Sequence, residues 1–193
     1  MTDGRVLRSE RSREIIESAL YELVGEGNLE PTAQQVAERA DVGIRTVFRL
    51  FSDMEALYAT LDAQLLAELT PMLRDGPPPD TGLRERAVAL VCDRAALFER
   101  IAPYKRSSNL KRRRSPYLTE QHRKLVRELR ARLLRWLPEL RDAPDEITEA
   151  LDQATSFEAW DRLRSDQRLG RPRARAAMEC TVRALVDRVE EER

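Results

Sequence analysis

Between Glu30-Pro31 and Ser52-Asp53 the chain has room for two helices of about two turns each, joined by a turn of three residues. Proline disfavours the α conformation in the residue before it, so no helix runs through Glu30. Thr32, with Gln35 three residues later, forms a capping box in which each side chain meets a backbone N–H of the other residue. The helix it opens carries Val36, Ala37 and Ala40 on one face and ends at about Ala40. Asp41-Val42-Gly43 makes the turn, where Gly43 is expected to relieve the steric limits on the backbone. A second helix then runs from Ile44 to Phe51, with Val47 and Phe51 facing inward. A bihelical corner this short needs longer neighbours to bury its apolar face.

The rest of the chain supplies them. Ser9 to Glu26 carries an apolar stripe of Ile15, Ile16, Ala19, Leu20 and Leu23 at helical spacing. Ser52-Asp53-Met54-Glu55 reads as a second capping box, opening a long helix with Met54, Leu57, Tyr58, Leu61, Leu65 and Leu69 on one face. Pro71 and the proline-rich linker from Asp75 to Asp80 are expected to end it. Further helices are predicted from Leu83 to about Ala102, from Ser115-Pro116 through Leu137, and from a capping Asp145 past Phe157 to about Leu163, before the Gly170-Arg171-Pro172 break. Pro138 to Pro144 reads as a loop, and the last helix aligns Met178, Val182, Leu185 and Val189. Ala, Leu, Arg and Glu dominate, and no segment alternates as a strand does, so the fold class is all-α.

Composition narrows the function classes. Charged residues make up 35% of the 193 positions and sum to zero, yet they are unevenly placed. From Lys105 to Arg135 twelve basic residues face two acidic ones, a net of +10, whereas residues 1–74 hold eight arginines against thirteen acids, a net of −5. Which face the arginines occupy therefore matters more than the sum. The Lys111-Arg112-Arg113-Arg114 run reads first as a solvated face, as does His122, the single histidine. Cys92 and Cys180 lie in apolar helical patterns and read as buried free thiols. No Ser-His-Asp or Cys-His set, metal-ligand spacing or phosphate-cradling glycine loop appears, so no catalytic residue, metal or cofactor is expected. Met1 to Glu14 is polar and charged, unlike a signal peptide, and no apolar run approaches a membrane span; a cytoplasmic protein without membrane contact is expected.

Two short helices across a tight turn fit either a plain αα corner whose arginines are solvated or a helix-turn-helix, in which the first helix braces on the DNA backbone and the second meets base edges in the major groove. With Val47 and Phe51 inward, the second helix offers Ile44, Arg45, Thr46, Phe48 and Arg49 outward. Arginine can bond guanine in bidentate fashion, and Thr46 suits a phosphate or a thymine methyl. Thr32, Gln34 and Gln35 stand at the amide end of the first helix, placed for phosphates.

The stretch Ala37-Glu38-Arg39-Ala40-Asp41-Val42-Gly43-Ile44-Arg45-Thr46-Val47-Phe48-Arg49-Leu50-Phe51-Ser52-Asp53-Met54-Glu55-Ala56-Leu57 resembles the head of TetR/AcrR-family bacterial regulators. The resemblance covers about Arg11 to Leu61. Three positions depart from the family pattern. Phe48 replaces its usual tyrosine, Met54 its usual lysine at the start of the long helix, and Asp41 its turn glycine. Each departure removes a phosphate contact or adds a negative charge, so weaker non-specific electrostatics are expected. Arg45 and Arg49, with a flexible N-terminal arm of Arg5, Arg8, Arg11 and Arg13, are the expected compensation.

The resemblance implies a TetR-like fold of about nine helices: a three-helix DNA-binding head at 1–52 and an effector-binding and dimerisation bundle at 53–193. It implies a ligand-responsive repressor that binds a palindromic double-stranded operator as a homodimer and answers to an unknown small molecule. The effector pocket is expected among Phe98, Tyr104, Trp136, Phe157 and Trp160. The last two helices, about Asp145 to Leu163 and Arg173 to Glu190, would pair with a second copy through Leu151, Ala154, Met178, Val182, Leu185 and Val189. The alternative is a helical small-molecule sensor or carrier whose DNA binding is weak or lost.

Overall fold

A computed structural model describes residues 3–78 and 80–191. Among the described residues every regular element is helical: α1 (Asp3–Gly25), α2 (Ala33–Arg39), α3 (Ile44–Leu50), α4 (Met54–Arg74), α5 (Leu83–Arg112), α6 (Pro116–Trp136), α7 (Asp145–Ala154), α8 (Phe157–Asp161) and α9 (Arg171–Glu191). The all-α expectation of about nine helices holds. The predicted stripes are the core: Ile16, Leu20, Val36, Val47, Leu57, Leu61, Leu90, Val91, Phe98, Leu133, Leu151 and Met178 are all buried. Ile15 is the exception on the first helix, being exposed, while Val24 takes its place in the interior.

Several helix ends differ from the sequence reading, each for a local reason. α4 passes through Pro71 and ends at Arg74, directly before the linker expected to stop it. α6 takes one carbonyl of α4's last turn and the carbonyl just beyond it, since Arg135 Nη2 donates to Leu73 O at 2.6 Å and Trp136 Nε1 donates to Asp75 O at 3.0 Å. α5 likewise passes through Pro103 and ends at Arg112 rather than at Ala102. The cap of α4 is Asp53 rather than Ser52, its carboxylate accepting from Ala56 N at 2.8 Å. Asp145 does not cap α7; it lies inside the first turn beside Glu146, where two carboxylates face the positive end of the helix. Pro138–Arg141 forms a short 3₁₀ turn rather than plain loop. The helix expected from Asp145 through Phe157 breaks at Thr155-Ser156, and Ser156 caps α8 by accepting from Ala159 N at 3.1 Å. Ser115 caps α6 as expected, accepting from Leu118 N at 3.2 Å.

The described chain forms two compact units. One comprises the described residues within 1–69 and 103–122; the other comprises those within 70–102 and 123–193. α4, α5 and α6 each contribute residues to both.

His122 is not solvated as expected. It is half-buried in the first unit, with Lys105 Nζ 2.6 Å from its Nδ1, so the ammonium donates and the ring nitrogen accepts. Burial, then the positive charges of Lys105 and Arg112, pull its pKa down to about 4. The linked stability is whole above about pH 6.5, where the ring is neutral in both folded and unfolded chain. It declines as pH falls from 6.5 toward 4, because only the unfolded chain then takes up the proton. His122→Asn, which keeps an acceptor for Lys105, is therefore expected to flatten this stretch of the stability–pH curve, as urea midpoints at pH 7 and pH 4.5 would show. An unchanged slope would mean that His122 carries no such linkage.

Candidate nucleic-acid interface

α2 and α3 are held against α1 by two arginine clamps. Arg39 pairs bidentately with Glu26 at 2.7 and 2.9 Å and reaches Glu22 at 3.4 Å. Arg13 donates to Leu50 O at 2.6 Å, meeting an orphan carbonyl at the end of α3, and its guanidinium lies 4.4 Å above the Phe51 ring. Arg13 thus fastens the corner from the exposed surface of α1. It is not part of a flexible arm, and α1 is already helical from Asp3. Arg8 and Arg11 are exposed on that helix, and the side chain of Arg5 lies outside the described residues.

The capping box at the start of α2 forms as expected. Gln35 N donates to Thr32 Oγ1 at 3.2 Å, and Thr32 N donates to Gln35 Oε1 at 2.8 Å. The turn that follows differs in detail. Val42 N donates to Ala37 O at 3.0 Å and Asp41 N to Glu38 O at 3.2 Å, the bonding of a helix closed by a left-handed residue. That residue is Asp41, with φ of 51°, whereas Gly43 has an ordinary φ of −71° as the N-cap of α3. The conformational freedom assigned to Gly43 is needed two residues earlier. Aspartate is among the few side chains that tolerate this region.

The outward face of the corner is mixed. Ile44 and Phe48 are 38% and 50% exposed, unusual values for such side chains, and they share α3 with exposed Arg45 and Arg49. Neither arginine is tied by an ion pair or side-chain hydrogen bond among the described residues. Thr46 is half-buried. The glutamines are less available than their positions suggest. Gln34 Nε2 donates to Glu38 at 2.7 Å, and the Gln35 carbonyl is spent on the cap. Thr32 is exposed, though its hydroxyl serves the same box.

The Lys111–Arg114 run lies in the same compact unit. Lys111 is not simply solvated: it bonds Glu30 at 3.2 Å and lies 4.7 Å from the Tyr58 ring centre. With Arg113, Arg114 and Met54 it lines a cleft of about 540 Å³.

The five aromatic residues expected around an effector are all buried. Tyr104 belongs to the first unit and stacks on Tyr21 at 4.3 Å, and the other four belong to the second. Phe98 meets Phe157 edge to face at 5.6 Å, Trp160 donates to Glu99 at 3.1 Å, and Trp136 closes α4. Phe157 and Trp160 line separate cavities of about 310 and 260 Å³. Of the residues expected at a dimer interface, Leu151, Ala154, Met178, Val182 and Val189 are buried within the single chain, and Leu185 is half-buried. α9 turns a different face outward, where Ala176, Cys180, Thr181 and Ala184 lie among exposed Arg173, Arg183 and Arg188. Their spacing of three or four was readable, but small side chains between arginines do not register as an apolar stripe. Cys180 is therefore exposed rather than buried, and Cys92 is half-buried; both are free thiols.

Two solved structures share this architecture. A transcriptional regulator from Rhodococcus sp. RHA1 superposes with a TM-score of 0.67, at 21% identity, over 91% of this chain and 96% of that one. A TetR transcriptional regulator from the same organism gives a TM-score of 0.57 with the same identity and coverage. No protein-family model and no curated protein matches the chain. At this identity the likeness is one of fold, and the fold is TetR-like.

Proposed function

We propose that this chain is a DNA-binding transcriptional regulator, a ligand-responsive repressor that reads a palindromic operator as a homodimer. The observation that carries the reading is the outward face of α3, where Arg45 and Arg49 are exposed without carboxylate partners beside Ile44, Thr46 and Phe48. Arginines held on a clamped helix are pre-ordered for guanine edges, and Ile44 and Phe48 suit thymine methyls. The functional division we propose, a reading head at 1–52 and a sensing and pairing body at 53–193, cuts inside the first compact unit. One α3 spans too few base pairs for specificity, so two copies about 34–36 Å apart along a duplex are required. The exposed small-residue face of α9 suits a close symmetric helix pairing, better than the residues already buried within the chain. A bound effector would act by favouring a body conformation in which the two heads are wrongly spaced.

A sensor or carrier with weak DNA binding is favoured by one set of facts: Gln34 and Gln35 are occupied, and Glu38 and Asp41 are exposed beside the reading helix. Gel shifts on DNA flanking the gene decide between the two. A retarded band whose midpoint weakens steeply with salt supports the regulator; no band on any flanking fragment at low salt supports the sensor.

Asp41 gives a quantitative handle on the same electrostatics. Two unit charges about 10 Å apart in water interact by roughly 0.4 kcal/mol, so each aspartate near a phosphate costs about twofold in affinity. Asp41→Gly is expected to tighten binding about fourfold for a two-headed complex at low salt, with the gain fading as salt rises. Its effect on stability is expected to be small, because relief of the left-handed strain is offset by the greater freedom of glycine in the unfolded chain. Anisotropy titrations at two salt concentrations would measure it, and an unaltered affinity at low salt would place Asp41 away from the duplex.

A further inference from the structure

Three arginines among the described residues have a buried Nε without an acceptor: Arg86, Arg94 and Arg132. Arg86 pairs with Glu139, and Arg132 pairs with Asp93. Arg94 differs. It is 0% exposed, and its Nη1 donates to Thr155 O at 2.5 Å and Thr155 Oγ1 at 2.8 Å, while Nη2 donates to Leu129 O at 2.5 Å. All three acceptors are neutral. Burial draws the guanidinium down to about 10, which still leaves it charged at neutral pH. Buried charges in folded proteins are ordinarily paired, because desolvation costs several kcal/mol per ion.

The counter-charge has a place to sit. Arg94 lines a cavity of about 310 Å³ with Val126, Leu129 and Phe157, all within the second compact unit. The carboxylates on its wall are Glu149, Asp152 and Glu158. Glu149 and Asp152 are held by Arg130, at 2.6 and 3.4 Å, and Glu158 is exposed to solvent that screens it. Asp152 and Asp93 act on Arg94 only through space, with Arg132 opposing them, and no carboxylate bonds it. An apolar wall beside a guanidinium without a bonded carboxylate selects a ligand with both characters. We propose that this cavity binds a small organic carboxylate with an apolar or aromatic body, its carboxylate on Arg94 and its body against Leu129, Val126 and Phe157.

The proposal gives a chemical class to the effector in the reading above, but its test uses no DNA, so either can fail without the other. Calorimetric titration of the whole chain with benzoate at pH 7 is expected to show one site per chain with a Kd of about 1 mM or tighter. Benzyl alcohol and benzylamine, of the same shape without the negative charge, are expected to bind at least tenfold more weakly. Arg94→Met is expected to lose benzoate binding if it folds. Val126→Trp, at a 40% exposed position on the cavity wall, fills the space while leaving Arg94 in the sequence and is expected to abolish binding in a folded protein. The proposal is overturned by an absence of benzoate heat up to about 10 mM. It is equally overturned if the alcohol or amine binds as tightly, or if Val126→Trp binds benzoate like the unaltered chain.

Discussion

Replacing Arg45 and Arg49 together with alanine is expected to lower operator affinity by a hundredfold or more while leaving thermal unfolding where it was. Each bidentate arginine–base contact is worth roughly 1–3 kcal/mol of discrimination, so the pair at one half-site carries about 2–6 kcal/mol. Both side chains are exposed and make no contact that stabilises the fold, which is why the unfolding temperature is expected to stay put. Non-specific affinity is expected to fall less, since other basic groups still meet phosphate. The single substitutions should separate the two arginines by base position. Equal losses on operator and random duplex would mean that they serve phosphates and carry no sequence information.

Phe51→Ala is expected to be the costliest single change in the head, destabilising it by about 3–5 kcal/mol. Phe51 is only 3% exposed at the end of α3, and its ring supports the Arg13 guanidinium that holds the Leu50 carbonyl. Removing the ring leaves a cavity and loosens that clamp together, so the loss should exceed that of a simple truncation. DNA binding is expected to vanish with the fold of the corner. Urea unfolding followed by helical signal, with Arg13→Ala as the partner variant, would give the coupling between them. A loss under about 1 kcal/mol would mean that the corner stands without its aromatic support.

The helices were legible because amphipathic spacing is a property of sequence alone. Val36, Ala37, Val47, Leu57 and Leu151 are buried where periodicity put them. Helix ends were harder, since they depend on partners far along the chain. Nothing near Pro71 announces that Arg135 and Trp136 will take the carbonyls beyond it. Thr155 offers its carbonyl and hydroxyl to Arg94, sixty-one positions away, where the sequence reading carried one helix through Phe157. Electrostatic roles were the least legible. Arg13 read as a DNA contact but serves as a clamp, and His122 read as solvated but is half-buried against Lys105. One signal was available and passed unused. Arg94 and Arg132 stand at apolar-face positions, three or four residues from Leu90, Val91 and Phe98 or from Leu129 and Trp136. A charge at such a position must find a partner inside, and the acceptors that bond Arg94 are all neutral.

The central claim is that α3, presented twice by a dimer, reads duplex DNA. Selection of bound sequences from a randomised duplex pool at low salt tests it most directly, with light scattering of the selected complex to count protomers. The account predicts enrichment of a palindrome with half-site centres about one helical turn apart, bound by two chains. A pool that stays random through successive rounds, or a complex holding a single chain, would contradict it.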